Sequence, residues 1–196
     1  MSNCNPVSTP VATGLRLTKE REGRDINPTL FKSLIGSLRY LTITRPDIVY
    51  AVGLLSQYME IPKESHWVAA KRILRYIKGT MDLGLFYDYG NESKLYGYSD
   101  SDWGSDQDER KSTIGYVFYL GSTTFTWVSK KQSTVALSTC ETEYVAASAA
   151  VCEAIWLRNL LEEFDHSQEE SSTIHVDNKS GIELAKNPIQ HGRSKR

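Results

Sequence analysis

Apolar residues recur at helical spacing from Phe31 onward, with Leu34, Ile35, Leu38 and Leu41 following in steps of three and four. This spacing predicts a helix with one buried face. The run Thr44-Arg45-Pro46-Asp47 marks the start of a second helix, with Thr44 as candidate N-cap and Pro46 in the first turn. Ile48, Val49, Val52, Leu55 and Met59 line its apolar face. A third helix is predicted over residues 64–77 and stopped by Gly79. Trp67, Ala70, Ile73, Leu74 and Ile77 form its buried stripe, and Lys71, Arg72, Arg75 and Lys78 fall along the other side. Residues 1–29, rich in proline and small polar side chains and including the charged run Lys19-Glu20-Arg21-Glu22, show no sustained period and read as a linker.

Beyond Gly79 the period changes from 3.6 towards 2. Residues 83–87, 95–99, 114–120 and 124–128 read as strands, the last two joined by a Gly121-Ser122 hairpin turn. A long helix follows over about 139–164, its apolar line being Val145, Ala149, Cys152, Trp156 and Leu160. The polar stretch 165–172 breaks it, residues 174–176 form a short strand, and 180–186 a short helix stopped by Asn187-Pro188. The pattern predicts three regions, a linker (1–29), a helical unit (30–80) and a sheet-based domain (81–196). The last is of α/β (α+β) class, antiparallel at its start and parallel in its continuation.

At 196 residues and 40% hydrophobic content the chain can bury a core, and wholesale disorder is excluded. No apolar run approaches the ~20 residues of a membrane helix. The first residues carry no secretory pattern. Cys4, Cys140 and Cys152 lack metal-ligand spacing and fit reduced thiols, Cys140 and Cys152 as buried ones. These features lead to the expectation of an intracellular protein, cytoplasmic or nuclear, without a membrane partner. The net charge of −1 hides a split. Up to Tyr98 there are 13 basic against 9 acidic residues, and from Ser99 onward 10 against 15.

Acids sit where strands end and where the long helix begins. Asp100 and Asp102 close one strand, Glu141 and Glu143 lie in the first turns of the long helix, and Asp177 ends the strand at 174–176. Parallel neighbours put their C-terminal ends on one sheet edge, where α/β sites gather. Carboxylates converging there would repel one another unless cations sat between them, and oxygen donors suit Mg²⁺ or Mn²⁺. The same acids are equally at home in loops and helix starts, so spacing alone names no activity.

Three segments narrow the choice: GYSDSDWGSDQDERKSTIGYVFYLG from Gly97, STCETEYVAASAAVCEAIWL from Ser138 and IHVDNKSGIELAKNP from Ile174. They closely resemble the ribonuclease H segment of copia-type retrotransposon Pol polyproteins. Upstream, FKSLIGSLRYLTITRPDIVYAV and HWVAAKRILRYIKGT resemble the connection between that polyprotein's reverse transcriptase and its ribonuclease H. The resemblance implies a ribonuclease H-like fold, a mixed five-stranded sheet with flanking helices, preceded by a small connection or thumb region. It implies two-metal hydrolysis of the RNA strand of an RNA–DNA hybrid with two Mg²⁺ or Mn²⁺ ions. The partners implied are that hybrid and the rest of the Pol polyprotein. Carried over by motif, the catalytic and metal-binding acids fall on Asp100, Glu143 and Asp177. Asp102 and Glu141 compete. Glu141 lies about 200° round the helix from Glu143, so both cannot face one site, and Glu143 is preferred.

The family's fourth acid, and the helix and strand around it, have no counterpart before Arg196. Glu183 reads as solvent-facing. The resemblance therefore implies weak or no hydrolysis here, the alternative being a non-catalytic remnant that binds nucleic acid or protein. Lys71, Arg72, Arg75 and Lys78 either track a phosphate backbone or form a solvated face. In the ribonuclease H reading Arg110, Lys111, Lys130 and Lys131 hold the hybrid's phosphates and hydroxyls. Trp67 and Trp156 read as core by their period, Trp103 and Trp127 as packed rather than stacking, His175 as structural, and His66 and His166 as surface residues.

Overall fold

The computed structural model describes residues 4–19, 23–87 and 94–186, and the chain falls into two compact units, Met1–Leu85 and Phe86–Arg196. The expected Asn187-Pro188 stop and everything after it lie outside the described residues, as do residues 20–22.

In the first unit, α1 (Pro28–Leu41) starts at Asn27, whose Oδ1 accepts the N–H groups of Thr29 at 2.9 Å and Leu30 at 3.2 Å. Its buried residues are Phe31, Ile35 and Leu38, on the expected face. A 3₁₀ turn, Pro46–Ile48, leads into α2 (Val49–Ser56), which buries Ala51, Val52 and Leu55. Thr44 is not the cap expected of it, since its hydroxyl donates back to the Leu41 carbonyl at 3.4 Å. The turn is held by an ion pair instead. Arg45 grips Asp47 through Nε–Oδ1 at 2.9 Å and Nη2–Oδ2 at 2.7 Å, while Nη1 donates to the Thr80 carbonyl at 3.0 Å. That pairing holds the Asp47 carboxyl below the usual carboxylate range.

Helix α3 (Glu64–Gly79) buries Ala69, Ala70, Ile73 and Tyr76. Trp67, Leu74 and Ile77 pack against the same core while partly buried. Gly79 is needed for a different reason than a left-handed stop, because a Cβ there would lie 2.8 Å from Pro6 Cβ. His66, expected at the surface, is fully buried and stacks on Tyr58 at 4.0 Å. Its Nδ1 accepts the Lys63 N–H at 3.0 Å, so the proton sits on Nε2 and points to the Thr18 carbonyl at 3.2 Å. Residues 4–19 form no helix or strand. Val7, Val11 and Leu15 nevertheless pack on the helical core, and Leu17 is buried within it.

The second unit is built on a four-stranded mixed sheet in the order β3-β2-β1-β4, formed by β1 (Leu95–Ser101), β2 (Thr113–Leu120), β3 (Thr123–Lys131) and β4 (Thr173–Val176). β1 pairs antiparallel with β2 and parallel with β4, and β2 with β3 antiparallel through the turn at Gly121, whose φ is 59°. The strand expected at 83–87 is absent; Leu83 closes a turn onto the Thr80 carbonyl at 3.1 Å. Alternation without a partner strand does not make a sheet.

Helix α4 (Thr139–Glu163) lies over the face that carries Leu95, Gly97 and Ser99 of β1 and Ile114 and Phe118 of β2. The Phe118 ring fills the space above Gly97, where a Cβ would lie 2.7 Å from it. The buried line of α4 is Glu143, Ala146, Ala150, Ala154, Leu157 and Leu161. The line expected from hydrophobicity is rotated away from it, so that Cys152 is exposed and Trp156 is 56% exposed. Small side chains let the helix backbone approach the sheet, and packing selected alanines over a bulkier apolar line. Helix α5 (Lys179–Lys186) follows β4, and Asn178 Oδ1 accepts the Gly181 N–H at 3.0 Å at its start. Among the described residues no helix is long and apolar enough to cross a membrane.

Candidate metal centre

β1 and β4 run parallel, so Asp100 near the end of one and Asp177 just past the end of the other arrive at the same edge of the sheet. Alternation along β1 sets the face of Asp100. Tyr96, Tyr98 and Asp100 share the face turned away from α4, while Leu95, Gly97 and Ser99 face it. Glu143 comes from the first turns of α4, whose N-terminus is set by Ser138, the hydroxyl accepting the Glu141 N–H at 3.1 Å. One carboxylate oxygen from each of Asp100, Glu143 and Asp177 lies within 4.8 Å of the others. The two aspartates are exposed and Glu143 is buried. Helix α5 closes on the same spot, since a Cβ at Gly181 would sit 3.4 Å from Glu143 Cβ.

Burial pushes the Glu143 carboxyl above its ordinary value, the adjacent Ser101 opposes this, and the charges of Asp100 and Asp177 add to it. Oε2 of Glu143 is buried with no hydrogen-bond partner. A cation would answer the needs of a buried carboxylate oxygen beside two further carboxylates, as does the proton that the raised value favours when no ion is bound. Mg²⁺ or Mn²⁺ fits these residues. Three oxygen donors and two exposed carboxylates leave open sides for water or substrate oxygens, as Mg²⁺ requires.

The competing acids have other employment. Asp102 Oδ1 accepts the Thr113 N–H at 2.6 Å and Oδ2 the Ser105 hydroxyl at 2.6 Å, which ties down the loop after β1. Glu141 accepts the Leu137 N–H at 2.8 Å and belongs to the helix start. Glu183 is exposed and pairs with Lys186 at 3.6 Å.

Of the candidate phosphate ligands in this unit, Lys131 pairs with buried Asp106 at 2.6 Å and Lys111 with Glu109 at 2.8 Å. Those two lysines hold the Glu109 carboxyl down at about 2, Lys111 the more strongly. Arg110 and Lys130 are exposed, Arg110 with a left-handed φ of 58°. In the first unit Arg72 donates to the Thr9 carbonyl at 3.1 Å and hydroxyl at 2.9 Å, Arg75 to the Asn5 carbonyl at 2.8 Å, and Lys78 to the Cys4 carbonyl at 2.9 Å. Lys71 lies over the Trp67 ring at 5.3 Å. The basic side of α3 thus clamps residues 4–9 to the helix.

Trp103, expected to be packed, is 59% exposed beside the acid edge, and Trp127 is half-buried. His166 is exposed as expected. His175 stacks on Tyr98 at 4.8 Å, and Tyr98 meets Tyr119 edge-on at 5.9 Å. Sequence reasoning did not single out Ser101 or Gly181, although both lie within the resembling segments, because their approach to Glu143 arises only through tertiary packing.

The whole chain aligns, 43% identical over 195 residues, with the Retrovirus-related Pol polyprotein from transposon RE2 of Arabidopsis thaliana. It is 42% identical over 202 residues to the corresponding polyprotein from transposon TNT 1-94 of Nicotiana tabacum. The chain spans only 13% and 15% of the length of these two relatives. A third match, 48% identical over 128 residues, covers 65% of this chain and 90% of Secreted RxLR effector protein 161 of Plasmopara viticola. No protein-family model matches the chain, and no solved structure matches it.

Proposed function

We propose that this chain, which is homologous over its whole length to the Pol polyproteins of copia-type retrotransposons, carries a ribonuclease H-type centre for the RNA strand of RNA–DNA hybrids. The observation that supports this most is the meeting of Asp100, Glu143 and Asp177 at one sheet edge, with a buried Glu143 oxygen left without a donor. A bound pair of divalent ions would there supply an activated water and stabilise the leaving oxygen of a phosphodiester. The chain's own part is to hold the carboxylates. Asp100 and Asp177, exposed at the edge, would hold the ions from the open side, and Glu143 from the buried side. Arg110, Lys130 and Trp103, exposed on the loop after β1 and the end of β3, would meet the phosphates and sugars of a bound backbone. Discrimination for RNA would rest on the 2′-hydroxyl and hybrid shape.

The test is cleavage of a labelled RNA–DNA hybrid by the purified chain with Mg²⁺ or Mn²⁺, with Asp100→Asn as control. Cleavage lost by at least a hundredfold in Asp100→Asn supports the proposal. A folded chain that binds Mn²⁺ yet leaves the hybrid intact refutes hydrolysis and leaves a non-catalytic hybrid-binding role, read by hybrid affinity.

A further inference from the structure

A buried polar network lies behind Glu143, outside the three carboxylates, and nothing in the hydrolytic reading uses it. Ser112 and Thr142 are each 1% exposed and Gln132 is 5% exposed. They come from three places: Ser112 from the end of the loop before β2, Thr142 from the fourth residue of α4, and Gln132 from the position just after β3. The Gly104 N–H donates to Ser112 Oγ at 2.9 Å, Ser112 Oγ and Thr142 Oγ1 are 3.3 Å apart, and Thr142 Oγ1 donates to the Ser138 carbonyl at 3.2 Å. Each hydroxyl has one proton. Thr142 spends its proton on Ser138, so Ser112 must donate to Thr142, and the chain Gly104 → Ser112 → Thr142 → Ser138 has one direction. Gln132 Nε2 donates to the Thr142 carbonyl at 3.2 Å, and the Gln132 N–H to the Ser112 carbonyl at 2.8 Å.

The Thr142 carbonyl belongs to the peptide unit that joins Thr142 to Glu143. A side-chain amide from the end of β3 therefore holds the very peptide from which the Glu143 side chain departs. The hydroxyl chain ties the same turn of α4 to the loop after β1, the strand that carries Asp100. Burying these polar groups costs stability, the more so because Gln132 Oε1 is buried without a hydrogen-bond partner, so an apolar wedge would pack this contact more cheaply. What a directional network adds is a fixed helix rotation. At 100° per residue, a small slip of α4 would swing Glu143 away from the two aspartates.

We propose that Ser112, Gln132 and Thr142 are positioning residues that set the first turn of α4 so that Glu143 meets Asp100 and Asp177 in cation-binding geometry. The inference rests on the metal reading of that cluster. Groups that orient metal ligands typically change affinity tenfold to a hundredfold when removed.

The test uses the full chain with Mn²⁺ alone, binding being read by calorimetry and folding by thermal melting. Thr142→Val, of nearly the same shape but without the hydroxyl, is expected to weaken Mn²⁺ binding about tenfold. Thr142→Ser, which keeps the hydroxyl and loses a methyl group, should stay within about twofold although it too lowers the melting temperature. Gln132→Leu is the second variant, expected to weaken Mn²⁺ about tenfold, should Thr142→Val fail to fold. Equal Mn²⁺ affinity in wild type, Thr142→Val and Gln132→Leu, with Asp100→Asn still abolishing binding, overturns the positioning role and leaves the metal site standing. Mn²⁺ binding that is absent in wild type, or indifferent to Asp100→Asn, overturns the metal reading and this inference with it.

Discussion

Glu143 concentrates the tension in the second unit. Its carboxyl is raised by burial and by two neighbouring aspartates, so the folded chain keeps that proton to higher pH than the unfolded chain does. The stability this contributes is complete below the ordinary value of 4.5 and is lost as pH climbs through the raised value. Without metal, the difference in melting temperature between Glu143→Gln and wild type should therefore be small near pH 4 and favour the variant at pH 7. Mn²⁺ should raise the wild-type melting temperature at pH 7, by mass action on the folded state, and leave Glu143→Gln unmoved. Melts followed by circular dichroism check both. A variant that melts below wild type at pH 7, or that responds to Mn²⁺ as wild type does, contradicts the account.

At the scale of elements, α4 shows why composition along a helix does not identify its buried side. Val145, Ala149, Cys152, Trp156 and Leu160 are spaced as a core stripe should be, but Ala146, Ala150 and Ala154 are the residues that meet the sheet. The alanines permit the close approach that brings Glu143 to the strand ends, which a line of bulkier side chains would prevent. Ala150, fully buried, should not tolerate enlargement: Ala150→Leu is expected to cost about 1–3 kcal/mol by overpacking. Trp156→Ser, at an exposed position of the same helix, should fall within about 0.5 kcal/mol. Urea unfolding of the two variants decides the orientation. A large loss in Trp156→Ser with none in Ala150→Leu would reverse the assignment of faces.

For the whole molecule, the described residues form two hydrophobic cores. One gathers Phe31, Ile35, Ile48, Leu55 and Ile73, and the other Leu95, Phe118, Ala150 and Leu157. Phe31→Ala should cost about 3–5 kcal/mol in the first and leave the Mn²⁺ affinity of the second within about twofold, because Phe31 is a member of the first core alone. Loss of Mn²⁺ binding in a Phe31→Ala chain whose second unit remains folded would show that the cores are coupled.

What the sequence determined by itself was local. The spacing of Phe31, Ile35 and Leu38, the alternation through residues 95–99 and the Gly121 turn are period and backbone signals, legible without neighbours. The acids at strand ends were legible as positions, and the motif resemblance singled out Asp100, Glu143 and Asp177 among them. Tertiary structure decided the rest, because it depends on what lies across a contact. His66 is buried because Tyr58 stacks on it and Thr18 accepts its proton. Residues 83–87 alternate but find no strand to pair with. Thr44 yields the turn to the Arg45–Asp47 pair. The sheet took the alanine side of α4 because backbone approach, rather than side-chain hydrophobicity, limits how closely a helix can pack. That same approach, held by Ser112, Gln132 and Thr142, brings a buried carboxylate oxygen to two exposed ones.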